Sequence, residues 1–290
     1  MKKILVTGST GFIGNELATV LFKKFPNYEI IILGRKVKKW NSDYVKKKFK
    51  FFDFNKNKFN KYNNFDYIIH CAALLDNKGK YDWNQYYKNN VLLLEKIIHY
   101  INFKRLVFIS TGSIFSSNTL NPNPNNYYGL SKYLSEKLLE IFSVNKKKQI
   151  VIIRFPIIIG KNSSSSLVDY FSSYIIKNKT IEIYGSGKYK RNIMHVDEAV
   201  QIIIKLCFKK NYKSNYEIFN AGSSNSMSII DIVNLTKKTL NSKSKISKVR
   251  KVRRANYDSI ININKLKNAI DYKPLTTKKS IIKFLKDKYL

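Results

Sequence analysis

The sequence predicts an α/β fold, a doubly wound parallel sheet with a smaller carboxyl-terminal lobe, and three observations predict it. Apolar runs of strand length alternate with amphipathic segments of helix length as far as residue 155. Those runs are apolar almost without interruption, as strands covered on both faces must be. The first run leads through a glycine-rich turn directly into the first helical segment. Such alternation favours parallel strands joined by right-handed crossovers.

In chain order, strands are expected at 3–8 (KILVTG), 28–34 (YEIIILG), 48–54 (KFKFFDF), 66–72 (DYIIHCA), 105–110 (RLVFIS) and 149–155 (QIVIIRF), with helices at 12–25, 84–101 and 127–144. The order changes after residue 160. KNSSSS (161–166) reads as a loop, followed by mixed elements, a helix over 197–208, a strand at YEIFNAG, and helices near 228–240 and 277–289. Residues 1–160 are therefore assigned to the sheet domain, with segments near 192–222 returning to it. Residues 161–290 form mainly the second lobe.

A content of 44% hydrophobic and 25% charged residues is that of a globular chain, not a disordered one. The apolar stretch of the opening MKKILVTG is only Ile4-Leu5-Val6, too short for the core of a targeting signal. No run approaches the ~20 apolar residues of a membrane span; QIVIIRFPIIIG is broken by Arg154 and Pro156. No membrane insertion is expected. Cys71 and Cys207 lie in apolar segments and read as reduced core residues of a cytoplasmic protein. The formal charge of +35 would attract phosphates. Its lysines, however, are scattered over KVKK (36–39), KKKFK (46–50), KKK (146–148) and single sites, with no nucleic-acid motif beside them. Together with abundant Asn, Ile, Tyr and Phe they suggest A/T-biased coding. The charge reads as solvated surface rather than a nucleic-acid groove.

VTGSTGFIGNEL (6–17) places Gly8, Gly11 and Gly14 between the first strand and the first helix. Glycine there lets the backbone approach a pyrophosphate, and Gly14 permits close helix–strand packing. The helix amino end adds N–H groups and a positive partial charge, so Ser9, Thr10, Phe12 and Ile13 join the glycines as candidate dinucleotide contacts.

The Gly-x-x-Gly-x-x-Gly spacing of TGSTGFIG, the DF at 53–54, HCAAL at 70–74, NNVLLLEKI at 89–97 and DYKPL at 271–275 occur in family order. As a set they resemble an extended short-chain dehydrogenase/reductase of the NAD-dependent epimerase/dehydratase group, whose members act mostly on nucleotide-activated sugars. The resemblance spans nearly the whole chain and implies a Rossmann domain. It also implies that Asp53 and Phe54 contact adenine, that Ala72 and Ala73 border the cofactor, and that Asn90 is a structural asparagine of its helix.

At the end of the second strand a carboxylate would accept the ribose hydroxyls of NAD, whereas arginine suits the 2′-phosphate of NADP. Here Gly34 and Arg35 stand in that place, which favours NADP and leaves NAD as the alternative.

In NYYGLSKYLSEKLLEIF, Tyr128 and Lys132 are four residues apart and share a helix face with Ser135 and Leu139. Leu130, Leu134, Leu138 and Ile141 make the opposite face, so the Tyr–Lys face need not be the packing stripe. A phenol can neutralise the charge that hydride addition builds on a carbonyl oxygen. A nearby cation brings its pKa of ~10 closer to neutrality. Lys132 is the expected cation, and the resemblance implies that it also holds the nicotinamide ribose. Aligned with the family's serine/threonine motif, STGSIF places Thr111 as the carbonyl-orienting hydroxyl, with Ser110 the less favoured candidate. Family 4,6-dehydratases carry Asp-Glu after that position and GDP-fucose synthases a cysteine; this chain has Gly112-Ser113. His70, His99 and His195 lack ligand spacing, and no metal is expected.

IYGSGKYKRNIMHVDEAV (183–200) resembles the segment whose arginine meets the nucleotide diphosphate, which implies Arg191; Arg254 in VRKVRRAN is the second candidate. The leading expectation is an NADP-dependent reductase of a dTDP- or GDP-linked 4-keto-6-deoxy sugar in surface polysaccharide synthesis. A nucleotide-sugar 4-epimerase with tightly held NAD is the alternative. A non-catalytic dinucleotide-binding protein with a basic RNA- or partner-binding surface is the alternative of another class. A homodimer is left open.

Overall fold

The computed structural model describes the chain apart from residues 35–37, 39–40, 52–63, 76–78, 117–120, 165, 250–256 and 260, and apart from the side chains of 49–51. Arg35, Asp53, Phe54 and Arg254 lie outside the described residues.

Seven strands form the main sheet: β1 (Lys3–Thr7), β2 (Glu29–Gly34), β3 (Phe49–Phe51), β4 (Phe65–His70), β5 (Phe103–Thr111), β6 (Gln149–Phe155) and β7 (Tyr216–Asn220). Their order is β7-β6-β5-β4-β1-β2-β3. β1 pairs in parallel with β2 and with β4, Leu5 lying opposite both Ile31 and Ile68, and the pairs β2–β3 and β4–β5 are parallel too. The expected doubly wound sheet is thus present. The strand order reverses between β1 and β4, which places the crevice of such a sheet beyond the carboxyl ends of these two strands. Two sequence segments come to that point: the glycine turn after β1 and Cys71–Leu74 after β4.

The chain divides into two compact units. The first comprises Met1–Ile114, Pro124–Arg154 and Val200–Phe219; the second comprises Phe115–Asn123, Phe155–Ala199 and Asn220–Leu290. In the first unit, Leu5, Ile68, Leu94, Ile97, Leu106, Phe108, Leu139 and Ile152 form one buried cluster between sheet and helices. The second unit has short strand pairs, Ile157–Ile159 with Ile193–His195 and Ile181–Tyr184 with Ile246–Val249. Its core gathers Phe171, Ile175, Ile193, Ile232, Ile281 and Phe284 from these strands and from the helices Leu167–Ile175, Ile229–Thr239 and Thr277–Tyr289. The segment after 161–166, expected as mixed elements, opens with the helix Leu167–Ile175. Its start is a capping box in which Ser166 accepts from the Asp169 N–H at 3.1 Å.

Two features of the first unit depart from expectation. The segment expected as one helix over 84–101 is α-helical at Trp83–Tyr86, a π turn at Tyr87–Leu92, and α-helical again at Leu93–Tyr100. The helix Tyr127–Lys146 also buries the face opposite to its leucine stripe. Ser131, Lys132, Ser135, Glu136, Leu139 and Ser143 are buried, whereas Leu134 and Ile141 are 38% and 63% exposed. Small hydroxyl residues allow this helix to approach its neighbours closely, and each buried hydroxyl finds a backbone acceptor. Ser135 Oγ donates to the carbonyl of Ser131 at 2.8 Å, and Ser143 Oγ to that of Lys148 at 3.0 Å.

Leu139 is therefore the apolar anchor of this helix. Leu139→Ala should lower the unfolding free energy in urea titration by about 2–5 kcal/mol, the range for emptying a buried leucine site. A loss below about 1 kcal/mol would restore the leucine-inward orientation.

Candidate active site

The glycine turn is built on backbone contacts that no side chain would permit. Gly8 has φ +70°, and a Cβ there would lie 2.5 Å from the amide nitrogen of Ala72. A Cβ on Gly14 would lie 2.2 Å from the Gly8 carbonyl oxygen. The Gly11 N–H closes the turn on that same oxygen at 2.9 Å. Gly11 caps the helix Phe12–Lys24 with no side-chain hydrogen bond, and no acidic residue occupies the first turn. A helix start of this kind holds anions through its N–H groups and positive partial charge.

Beside the turn lies a groove of about 360 Å³, lined by Gly8, Thr10 and Gly11, by Gly34 at the end of β2 and Lys38 beyond it, and by Cys71–Leu74 beyond β4. Ala72 and Ala73 thus border it. Ser9 does not line it: its Oγ donates to the Leu33 carbonyl at 3.2 Å and ties the turn to β2. Phe12 and Ile13 are half-buried at the helix start. A floor of glycine and alanine backbone below a helix amino end fits a dinucleotide.

Asn90 is 1% exposed and serves as a strut. Its Oδ1 accepts from the Leu74 N–H at 2.6 Å, while Nδ2 donates to the Leu74 carbonyl at 3.1 Å and to Ser131 Oγ at 2.9 Å. Ser131 in turn donates to the Tyr128 carbonyl at 2.8 Å, and Ser135 Oγ lies 3.3 Å from the Asn90 carbonyl. The π turn therefore couples the groove wall at Leu74 to the helix that carries Tyr128 and Lys132.

Tyr128 sits in the first turn of that helix, whose N-cap Asn126 accepts from the Gly129 N–H at 2.8 Å. A Cβ on Gly129 would lie 2.3 Å from the Ser113 carbonyl oxygen, so glycine is what lets the helix start approach the turn after β5. This contact brings Tyr128 beside Thr111, whose hydroxyl favours the ionised form of the phenol. Thr111 Oγ1 also accepts from the Ser113 N–H at 3.1 Å. Ser110, by contrast, gives its hydroxyl to Glu136 at 2.5 Å.

Electrostatics in the site differ from the expected pairing. Burial pushes the Tyr128 phenol up to about 12, with the Thr111 hydroxyl opposing the shift and Tyr86 adding to it. Burial pushes Lys132 down to about 7, against the opposing influence of Glu136 and Cys71. The lysine is 2% exposed, its Nζ lying 3.9 Å from the centre of the Phe108 ring. Burial therefore outweighs the pull of the Lys132 charge on the Tyr128 phenol, because desolvation dominates both groups.

Behind the lysine, His70 Nδ1 lies 2.9 Å from Thr7 Oγ1, and burial first, then the Lys132 charge, hold the imidazole down to about 3. Arg191 belongs to the second unit. Its Nη1 donates to the carbonyls of Lys190 and Tyr257 at 2.8 and 2.7 Å, and burial lowers its pKa. Sequence reasoning missed Gly129, Ser131 and Glu136. Signals for them existed: a glycine inside a helical pattern, serines on a buried face, and an arginine, Arg154, stranded in an apolar run that needs a buried partner.

Residues 4–222 match the model of the NAD dependent epimerase/dehydratase family. The chain belongs to that family. Among curated proteins it is 29% identical over 268 residues to a dTDP-D-glucose 4,6-dehydratase of Dictyostelium discoideum, a match covering 80% of this chain and 60% of that enzyme. Its fold is that of the UDP-glucuronic acid 4-epimerase of Bacillus cereus, solved with UDP-glucuronic acid and NAD (TM-score 0.84, 22% identity, 99% of this chain and 98% of that one). It is equally that of a UDP-N-acetylglucosamine 4-epimerase of Methanobrevibacter ruminantium M1 (TM-score 0.85, 22% identity, covering 98% and 97%).

The backbone contacts of this family's glycine turn are directly testable. Gly14→Ala must displace the Gly8 carbonyl, which should cost about 1–3 kcal/mol of stability in urea titration and weaken dinucleotide binding in calorimetry. Unchanged affinity would separate the turn from the cofactor.

Proposed function

We propose that the chain is a cytoplasmic, NADP-dependent reductase of a dTDP- or GDP-linked 4-keto-6-deoxy sugar, serving surface polysaccharide synthesis. The observation that carries the reading is a protonated phenol beside a threonine hydroxyl, on a helix that Asn90 and Ser131 couple to the wall of the groove over the glycine turn. A dinucleotide there would be held by the Gly8–Gly14 turn and its helix start, by Ala72 and Ala73, and by Lys132. Asp53 and Phe54 are assigned to the adenine, and Arg191 and Arg254 to the substrate diphosphate. Reduced nicotinamide would supply the hydride. Thr111 orients the carbonyl, and Tyr128 gives its proton to the oxygen as charge develops there. The ammonium of Lys132, in a site of low dielectric, then stabilises the phenolate left behind. A phenol with a raised pKa is a proton donor throughout the neutral range, which suits reduction better than alcohol oxidation. Gly112 and Ser113 bring no carboxyl pair for eliminating water. Two free thiols, Cys71 and Cys207, agree with a reducing compartment. The exposed stripe of Tyr127, Leu134, Ile141 and Val144 is read as the contact of a homodimer, which light scattering tests.

The second reading is a nucleotide-sugar 4-epimerase with retained NAD, favoured by the 4-epimerases among the structural relatives. Protein mixed with NADPH and dTDP- or GDP-4-keto-6-deoxyhexoses should oxidise the nicotinamide, followed by its absorbance. Tyr128→Phe should slow turnover by about 10²–10⁴-fold with dinucleotide affinity retained. Isomerisation with no net loss of NADPH would replace the reductase by the epimerase.

Cofactor choice has its own test. Gly34 leaves room beside the ribose, and Arg35 is read as the partner of the 2′-phosphate. Arg35→Asp should weaken NADP binding at least about tenfold, the scale of one charge-assisted hydrogen bond, while NAD binding holds or improves. Equal wild-type affinities for the two dinucleotides would overturn the NADP assignment.

A further inference from the structure

Glu136 follows Lys132 by one helical turn and is 1% exposed. Two strands hold its carboxylate. Arg154 of β6 donates Nε to Oε1 at 3.1 Å and Nη2 to Oε2 at 2.6 Å, and Ser110 of β5 donates Oγ to Oε1 at 2.5 Å. The backbone carbonyl of Glu136 accepts from Tyr216 OH of β7 at 3.0 Å. One residue is thus fastened to three strands of the sheet. A buried ion pair adds little net stability over an apolar pair of similar volume, so its place beside a reacting lysine asks for another use.

Several elements face Lys132. Its own helix contributes Glu136, with Tyr128 one turn before it, the end of β4 contributes His70 and Cys71, and β5 contributes the Phe108 ring. His70 is held down to about 3 and Cys71 up to about 12, both chiefly by burial, so neither is charged near neutrality. Tyr128, pushed up to about 12, is neutral there as well. Among the described residues, the negative charge acting on Lys132 in the neutral range is that of Glu136.

We propose that Glu136 is a positioning residue of the site: strapped to β5 through Ser110 and to β6 through Arg154, it fixes the strand end that carries Thr111 and sets an arginine-paired carboxylate one turn from the Lys132 ammonium. The proposal rests on the reading of Lys132 as the lysine that holds the dinucleotide. Ser110 accordingly acts through Glu136 and not on substrate, which explains why two adjacent hydroxyls, Ser110 and Thr111, have different partners.

The test is the pH dependence of dinucleotide affinity of the full chain, by calorimetry from about pH 6 to about pH 9. If the cationic lysine binds the dinucleotide better, binding raises its pKa, and affinity falls as pH rises above the free-state value. Glu136→Gln removes the opposing charge and should move that fall to lower pH by about 1 unit. Ser110→Ala, which loosens the strap and keeps the charge, should leave the fall in place, as should Glu136→Asp. If Glu136→Gln does not fold, judged by thermal melting, Glu136→Gln combined with Arg154→Met leaves no unpaired buried ion and should move the fall in the same direction. A fall at the wild-type pH in the folded Gln variant, or an equal displacement by Ser110→Ala, would overturn the role of Glu136 and leave that of Lys132 standing. A wild type whose affinity does not decline with pH would overturn both.

Discussion

The groove exists because two loops of the sheet touch backbone to backbone. Gly8 meets Ala72 with no room for a Cβ, and Gly14 meets Gly8 in the same way. Parallel strands bring their carboxyl ends to one edge, but side chains on both loops would hold those ends apart. With glycine and alanine there, the helix amino end comes down onto the strand ends and its N–H groups become the floor of the groove. The positions of Thr10, Gly34 and Leu74 around that floor follow from this contact.

The second requirement is to place a lysine and a tyrosine in a desolvated corner without losing the fold. Here the helix Tyr127–Lys146 turns a serine-lined face inward and gives each hydroxyl a defined acceptor. The cost of burying polar groups is offset one hydrogen bond at a time, while Leu139 and the sheet supply the apolar contact. The same face carries the ion pair Glu136–Arg154, so the charges sit where the sheet is rigid. Leu134 and Ile141 on the outer face are left to the surface, which inverts the usual reading of an amphipathic helix.

This inversion marks where the sequence was legible and where it was not. The strands stood out because continuous apolar runs between turns have few other uses, and β1, β2 and β6 fall within a residue of their expected bounds. The glycine turn was legible since its spacing follows from the contacts it must make. Hydrophobic periodicity, however, reports which face could be buried, not which face is; a row of Ser131, Ser135 and Ser143 with specific acceptors carries no periodic apolar signal. Glu136 was hidden for a related reason, as charged residues in a basic chain read as surface until a partner is seen. The Tyr128–Lys132 spacing was visible, but burial of both groups, and hence the direction of their pKa shifts, belongs to tertiary structure.

The π turn at Tyr87–Leu92 is, in effect, one residue more than an α-helix would use. Each residue advances an α-helix by about 100°, so the extra one rotates the chain before it relative to the chain after it by that amount. Asp82 caps the segment locally on the Gln85 N–H, and the extra residue sets the phase between that start, with Asn90 gripping Leu74, and the core-packed helix Leu93–Tyr100. Shortening the segment by a single residue, whichever residue it is, would keep its composition and its helicity and break that phase. Length is thus as much a part of this wall of the groove as side-chain identity, and the segment should accept exchanges of exposed residues far more readily than a change in their number.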